Sequence, residues 1–287
     1  MPRKLLQVIL VTIAGIALGG MVYQSGKILQ PERRQTQASK AIRRDTTLRI
    51  TRFEVELRYP KGTPRGTLLL LPGWDFSRRY WCDSTALCDS ALNARWVVVL
   101  PEMRRSLYAS ARFPETRADL AAEPDLLWLR DTAFKRLADT FGLLKPGANN
   151  YVVGLSTGAR GVAQLLTTDP NRFTAACALS GDYDQTLQPT DNLMRLYYGP
   201  YVRFAQRWQM VDNPGRKTQQ MRTPLYLAHG AQDKLVPALH SDTLFARLRR
   251  TGHAVEYHKP AKAGHDFRFW RSEVPRMMRF LRQHTSE

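Results

Sequence analysis

The chain has 287 residues, 43% of them hydrophobic, which excludes a disordered polymer and suits one large α/β domain behind a distinct N-terminal stretch. Its formal charge is +18; residues 1–44 hold eight Lys and Arg against Glu32 alone, leaving +11 spread along the rest. No helix-turn-helix, zinc-knuckle or aromatic-basic signature accompanies that charge, so nucleic acid is not an expected partner; a basic surface of this kind favours anionic membranes or cell-envelope polymers.

The chain starts MPRK, and Leu5 to Tyr23 follow as nineteen residues with only Gln7 and Thr12 polar. At about 1.5 Å per residue such a stretch nearly spans a bilayer core. Residues 1–23 therefore read as a membrane anchor or, with Ala17-Leu18-Gly19 as a weak cleavage site, a signal peptide. Either places the body in a membrane-anchored or secreted position, facing the periplasm or cell exterior. More Lys and Arg follow the stretch than precede it, which leaves its orientation open. Residues 24–46 are polar, basic and without apolar period, and read as a tether to a body at 47–287.

Leu48–Tyr59 carries Phe53, Val55 and Leu57 at period two and is predicted as one strand. Gly66–Leu71, Trp96–Leu100, Tyr151–Leu155, Thr174–Leu179 and Pro224–Ala228 are continuous apolar runs, the pattern of parallel strands buried on both faces. Ala254–His258 is one more strand. Cys82 and Cys88 can pair if a turn brings them together, but point apart on a continuous helix; both readings stand. Cys177, inside an apolar strand, reads as a core thiol. Asp125–Phe141 places Leu127, Phe134, Leu137, Ala138 and Phe141 on one helical face, and Gly142 is placed to end it. Trp270, Val274, Met277, Met278 and Leu281 repeat at the spacing of a terminal amphipathic helix. Buried strands alternating with such helices imply an α/β fold, with a mainly parallel central sheet flanked by helices. Ligands in that architecture gather at the carboxyl ends of the strands.

One strand runs into Gly154-Leu155-Ser156-Thr157-Gly158, with helical Ala159 to Leu166 behind it. A G-x-S-x-G turn of this kind holds a serine hydroxyl out over a sheet in strained geometry, marking Ser156 as a candidate nucleophile. A serine hydroxyl needs a base within hydrogen-bond reach. His265, in the loop Ala263 to Phe267 between the last strand and the last helix, is the candidate. His253 and His258 flank or lie in the strand, His240 starts a helix, His284 is in the tail, and His229 before Gly230 reads as a turn support. Asp233, in the loop His229–Pro237, is the candidate carboxylate, with Asp182 and Asp184 as rivals; Asp266 is poorly placed to orient its own neighbour. The order Ser, Asp, His is that of the α/β architecture. An oxyanion needs two backbone donors, for which the N–H groups of Thr157 and Trp74 are the candidates, Trp74 doubling as a pocket wall.

Through Gly154–Gly158, His229–Pro237 and Gly264–His265, the stretch from Leu48 to Leu281 resembles the α/β-hydrolase superfamily. Gly264-His265-Asp266-Phe267 with Trp270 is similar to the histidine loop of esterases such as feruloyl esterases and S-formylglutathione hydrolases. The His229–Pro237 turn also resembles prolyl-oligopeptidase-like peptidases and dienelactone hydrolases. The resemblance implies hydrolysis of carboxylic esters, small-molecule or cell-envelope, through an acyl-enzyme with no metal or organic cofactor. Peptidase, acyltransferase and non-catalytic binding module are the alternatives. Pro72-Gly73 stands where many relatives carry His-Gly, which affects the second oxyanion donor. Thr186 to Arg222 lies where relatives insert a cap, and its Tyr197, Tyr198, Tyr201, Phe204 and Trp208 either line a pocket or pack on the sheet.

Overall fold

The computed structural model describes residues 45–120 and 124–285; the apolar stretch 5–23 and the tether up to residue 44 lie outside the described residues. Among the described residues no helix is long and apolar enough to cross a membrane. Eight strands form one sheet in the order β1-β2-β4-β3-β5-β6-β7-β8. They are β1 Thr46–Ile50, β2 Phe53–Arg58, β3 Gly66–Leu71, β4 Trp96–Pro101, β5 Asn150–Leu155, β6 Ala175–Leu179, β7 Leu225–Ala228 and β8 Val255–His258. β1 and β2 are antiparallel to their neighbours, and every pairing from β4 to β8 is parallel. In the parallel strands successive side chains enter opposite cores: Leu69 and Leu71 on one face, Leu68 and Leu70 on the other. That is why these strands read as continuous apolar runs.

The stretch predicted as one strand, Leu48–Tyr59, is a hairpin instead, with Ile50 opposite Phe53. Its turn has none of the Gly or Asn that mark such turns in sequence. Thr51 takes positive φ (51°), and the Trp128 indole N–H donates to Thr51 Oγ1 at 2.8 Å.

Helices α1 (Tyr80–Ser84), α2 (Leu87–Asn93) and α9 (Phe267–Gln283) contribute Trp81, Leu87, Trp270 and Met277 to one core. Thr85 is extended (φ −143°, ψ 165°) and separates α1 from α2. That break lets Cys82 and Cys88 meet in a disulfide across a Cα–Cα distance of 5.1 Å. Cys177 is a buried free thiol. The opposite core receives α5 (Thr157–Thr168) and α8 (Leu239–Arg250). It also receives α3 (Asp125–Leu127), a π turn over Trp128–Ala133 and α4 (Phe134–Phe141). The π turn inserts one residue into the expected helix. With it the inward face slips from Leu127 to Leu126, ahead of the turn, and Leu129, within it, while Gly142 caps the end in left-handed conformation as predicted.

β4 and β5 lie on opposite sides of β3, so the loops leaving β3 and β5 diverge over one crevice. In open α/β sheets, ligands bind at the carboxyl ends of the strands where neighbouring connections diverge, which places a site there.

Candidate active site

Ser156 stands between the last residue of β5 and the first of α5, at φ 54° and ψ −125°, a conformation that L-residues rarely adopt. Its N–H donates to Leu179 O of β6 at 2.8 Å and its C=O accepts from the Ala159 and Arg160 N–H groups, so the surroundings enforce the strain. The two glycines are required by close approach. A Cβ on Gly154 would sit 2.2 Å from Gly158 O, and one on Gly158 would sit 2.4 Å from Leu71 O.

Across the crevice, the β8–α9 loop carries His265 and ends at Asp266, whose carboxylate caps α9 by accepting the Phe269 N–H at 2.9 Å. His265 Nε2 lies 3.1 Å from Ser156 Oγ, and His265 Nδ1 lies 2.6 Å from Asp233 Oδ2. The Trp270 ring meets the imidazole edge-on at 5.1 Å between centroids, holding its plane. Asp233 follows β7, and its other oxygen, Oδ1, accepts the N–H groups of Leu235 and Val236, each at 2.9 Å. Burial alone would push this carboxyl up. Hydrogen bonds from His229, His265 and the Val236 N–H hold it well below the ordinary carboxylate range, so it is ionised.

His229 does more than support a turn. Its ring is fully buried, with Nε2 2.9 Å from Val236 O and 3.3 Å from Asp233 Oδ2, and Nδ1 2.7 Å from Ser241 Oγ. With Ser241 donating to Nδ1, Nε2 carries the proton toward Asp233 and its loop. The rival acids are used elsewhere. Asp182 pairs with Arg160 at 2.9 Å. Asp184 pairs with Arg247 at 2.8 Å and Arg216 at 3.4 Å.

The sequence profile of the prolyl oligopeptidase family matches residues 137–287, more than half of the chain and the part that holds Ser156, Asp233 and His265. The chain belongs to the prolyl oligopeptidase family. Among curated proteins none matches significantly. Solved structures add the fold. An S-formylglutathione hydrolase from Staphylococcus aureus is 16% identical with a TM-score of 0.64, covering 83% of this chain and 98% of its own. The fluorophosphonate-binding serine hydrolase F of the same organism gives 15% identity and a TM-score of 0.63, covering 85% and 98%. An S-formylglutathione hydrolase from Agrobacterium tumefaciens gives 12% and 0.65, covering 84% and 94%. At these identities the likeness establishes the α/β-hydrolase fold.

Backbone N–H groups lie beside the serine in the crevice. Thr157 is the first residue of α5, where N–H groups have no acceptor within the helix. Gly73–Phe76 forms a turn closed by Phe76 N–H to Gly73 O at 3.2 Å, and the Asp75 N–H donates to Arg104 O. Neither bond uses the Trp74 N–H. Trp74, Ser156 and Thr157 all line one cavity of about 200 Å³.

The rest of that cavity was not legible in the sequence. Leu193, Met194, Leu235 and Val236 supply apolar lining, and Asp182, Gln185, Gln188, Asp191 and His240 polar lining. Of the cap aromatics, Tyr197, Tyr198 and Trp208 instead pack with Leu107, Ala109 and Leu120 in a third core, against which Tyr201 and Phe204 lie. α6 (Asn192–Tyr198) thus turns its aromatics inward and offers Leu193 and Met194 to the cavity.

Proposed function

We propose that the chain is a serine hydrolase that cleaves carboxylic esters through an acyl-enzyme on Ser156. The carrying observation is the line of two hydrogen bonds from Ser156 Oγ through the His265 ring to Asp233, 3.1 Å and 2.6 Å long. As Oγ attacks the ester carbonyl, its proton passes to His265 Nε2. Ionised Asp233 accepts the Nδ1–H bond, fixes the tautomer and stabilises the imidazolium. The Thr157 and Trp74 N–H groups stabilise the oxyanion. His265 then protonates the departing alcohol, and the same steps with water as nucleophile release the acid and restore the serine.

The test is turnover of p-nitrophenyl acetate and butyrate. Ser156→Ala should lose about 10³-fold or more in kcat while keeping its fold, and equal rates would sink the reading. The family's peptidases favour a second reading, amide cleavage, and an acyltransferase shares the same first half-reaction. Aminoacyl p-nitroanilides and competing alcohol acceptors separate the three by product.

We further propose that the body works outside the cytoplasm, on small-molecule or envelope esters, tethered or released through residues 1–23. The Cys82–Cys88 disulfide supports an oxidising compartment. Mass spectrometry of the mature N-terminus, after fractionation into membrane and soluble pools, distinguishes anchor from cleaved signal; a reduced cytoplasmic protein would contradict both.

A further inference from the structure

The polar lining of the cavity beside Ser156 is largely engaged from within. Gln185 Oε1 accepts from Arg160 Nη2 and its Nε2 donates to Val211 O, both at 2.8 Å. Asp191 Oδ1 accepts the Met194 N–H at the start of α6. Two cavity-lining residues keep a buried polar atom without a partner among the described residues: His240 at Nε2 and Thr157 at Oγ1. His240 is 1% exposed. Its Nδ1 accepts a long hydrogen bond, 3.5 Å, from the Asp184 N–H, which places the ring proton on Nε2. Asp182 also lines the cavity; its Oδ2 takes Arg160 Nη1 at 2.9 Å while 13% of its side chain stays exposed. An unpaired buried donor is costly and uncommon in native proteins, and its position in a cavity opening on the candidate nucleophile points to a partner that arrives with a ligand.

We infer that this cavity is a subsite for a short hydroxyl-bearing group of the substrate, whose oxygen accepts from His240 Nε2–H and whose proton is donated to the Asp182 carboxylate. The inference rests on the serine-hydrolase reading and names its substrate class. The volume, about 200 Å³, lies below the ~300–1,000 Å³ of sites for larger ligands, so the group is small. Carboxylate-bearing groups are disfavoured by Asp182 and Asp191, and a plain alkyl group would leave the His240 donor unpaired. Trp74, Leu193 and Met194 receive the carbon skeleton.

The experiment compares near-isosteric esters at pH 8, where Asp182, its carboxyl lifted by burial to about 6, is ionised. For a hydroxyl on the acyl side the pair is p-nitrophenyl 3-hydroxybutyrate and p-nitrophenyl butyrate. For the alcohol side it is 2-hydroxyethyl butyrate and propyl butyrate. Wild type should prefer the hydroxylated member of one pair by about ten-fold or more in kcat/KM, and the pair that responds shows which side enters. In His240→Phe that ratio should fall below about two-fold, whatever the absolute rate, with partial recovery in the donor-retaining His240→Gln. A wild-type ratio under about two-fold for both pairs overturns the inference even if the variants do not fold, and so does a ratio that survives in His240→Phe. If wild type turns over none of the four esters, the ester reading fails and the subsite is tested alone. Methyl 3-hydroxybutyrate, but not methyl butyrate, should shift the His240 imidazole nitrogen resonance, and equal or absent shifts would reject the subsite.

Discussion

At Ser156 the backbone is held where few L-residues sit, and the energy for that comes from β5, β6 and α5 around it. The side chains completing the site are also fixed: Asp233 by two N–H groups of its own loop, and His265 by Asp233 and the Trp270 ring of α9. Asp233→Asn should lower kcat for p-nitrophenyl butyrate by about 10³–10⁴-fold with KM little changed, since the amide no longer holds the imidazole in the productive tautomer. His229 acts one step further out, and His229→Phe should lower kcat about 10–100-fold by loosening Asp233 and its loop; a kcat unchanged from wild type would show that His229 serves packing alone. Ser156, His265 and Asp233 were legible because three short motifs carry them in order. His229's support of Asp233 was not, because a histidine before a glycine reads as a turn, and its bond to Ser241 appears only when α8 packs against the loop. His240 was equally hidden: a helix-starting histidine carries no mark that one nitrogen will end without a partner.

At the scale of elements, Gly154 and Gly158 let α5 cross the end of the sheet at van der Waals distance. Gly158→Ala would press a methyl into Leu71 O and should destabilise by about 1–3 kcal/mol or more, read as a lower midpoint in urea unfolding. The Cys82–Cys88 bridge spans a short loop, so its contribution in the chain-entropy account is about 2 kcal/mol. Cys82→Ser with Cys88→Ser should lower thermal stability accordingly, while wild type with and without reductant should differ by a similar amount; no difference would mean that the α1–α2 packing alone holds the segment. The parallel strands were predicted within a residue or two because burial on both faces leaves an unbroken apolar signature. The hairpin turn at Thr51-Arg52 was missed because the Trp128 indole, far away in sequence, stands in for the usual turn residues. The π turn was missed because a one-residue insertion changes which leucine faces inward without changing composition. Pro275 lies inside α9 without ending it, since Trp270, Val274, Met277 and Leu281 on its buried face hold the helix to the sheet.

For the folded body as a whole, buried titratable groups set the pH response. Burial lowers His240 from 6.5 to about 4, with His229 and Arg160 adding to the shift and Asp184 opposing it. Between those values the unfolded chain binds the proton and the folded one does not, so this group's contribution to stability falls as pH drops from 6.5 to 4. Asp182 works the other way. Its folded carboxyl takes up a proton near 6, against 3.8 unfolded, so its contribution rises as pH falls through 6. His240→Gln removes only the first slope, and the urea midpoint of this variant should fall less than that of wild type between pH 6.5 and 4.5; parallel curves would show that His240 is not held neutral by burial.

The central claim is that Ser156 is made nucleophilic by His265 and Asp233. It is tested most directly by reaction with a fluorophosphonate probe, followed by peptide mass mapping. The account predicts a single adduct on Ser156 in wild type, with labelling slowed about 10³-fold or more in His265→Ala. An adduct elsewhere, or equal labelling of Ser156 with and without the imidazole, would contradict it.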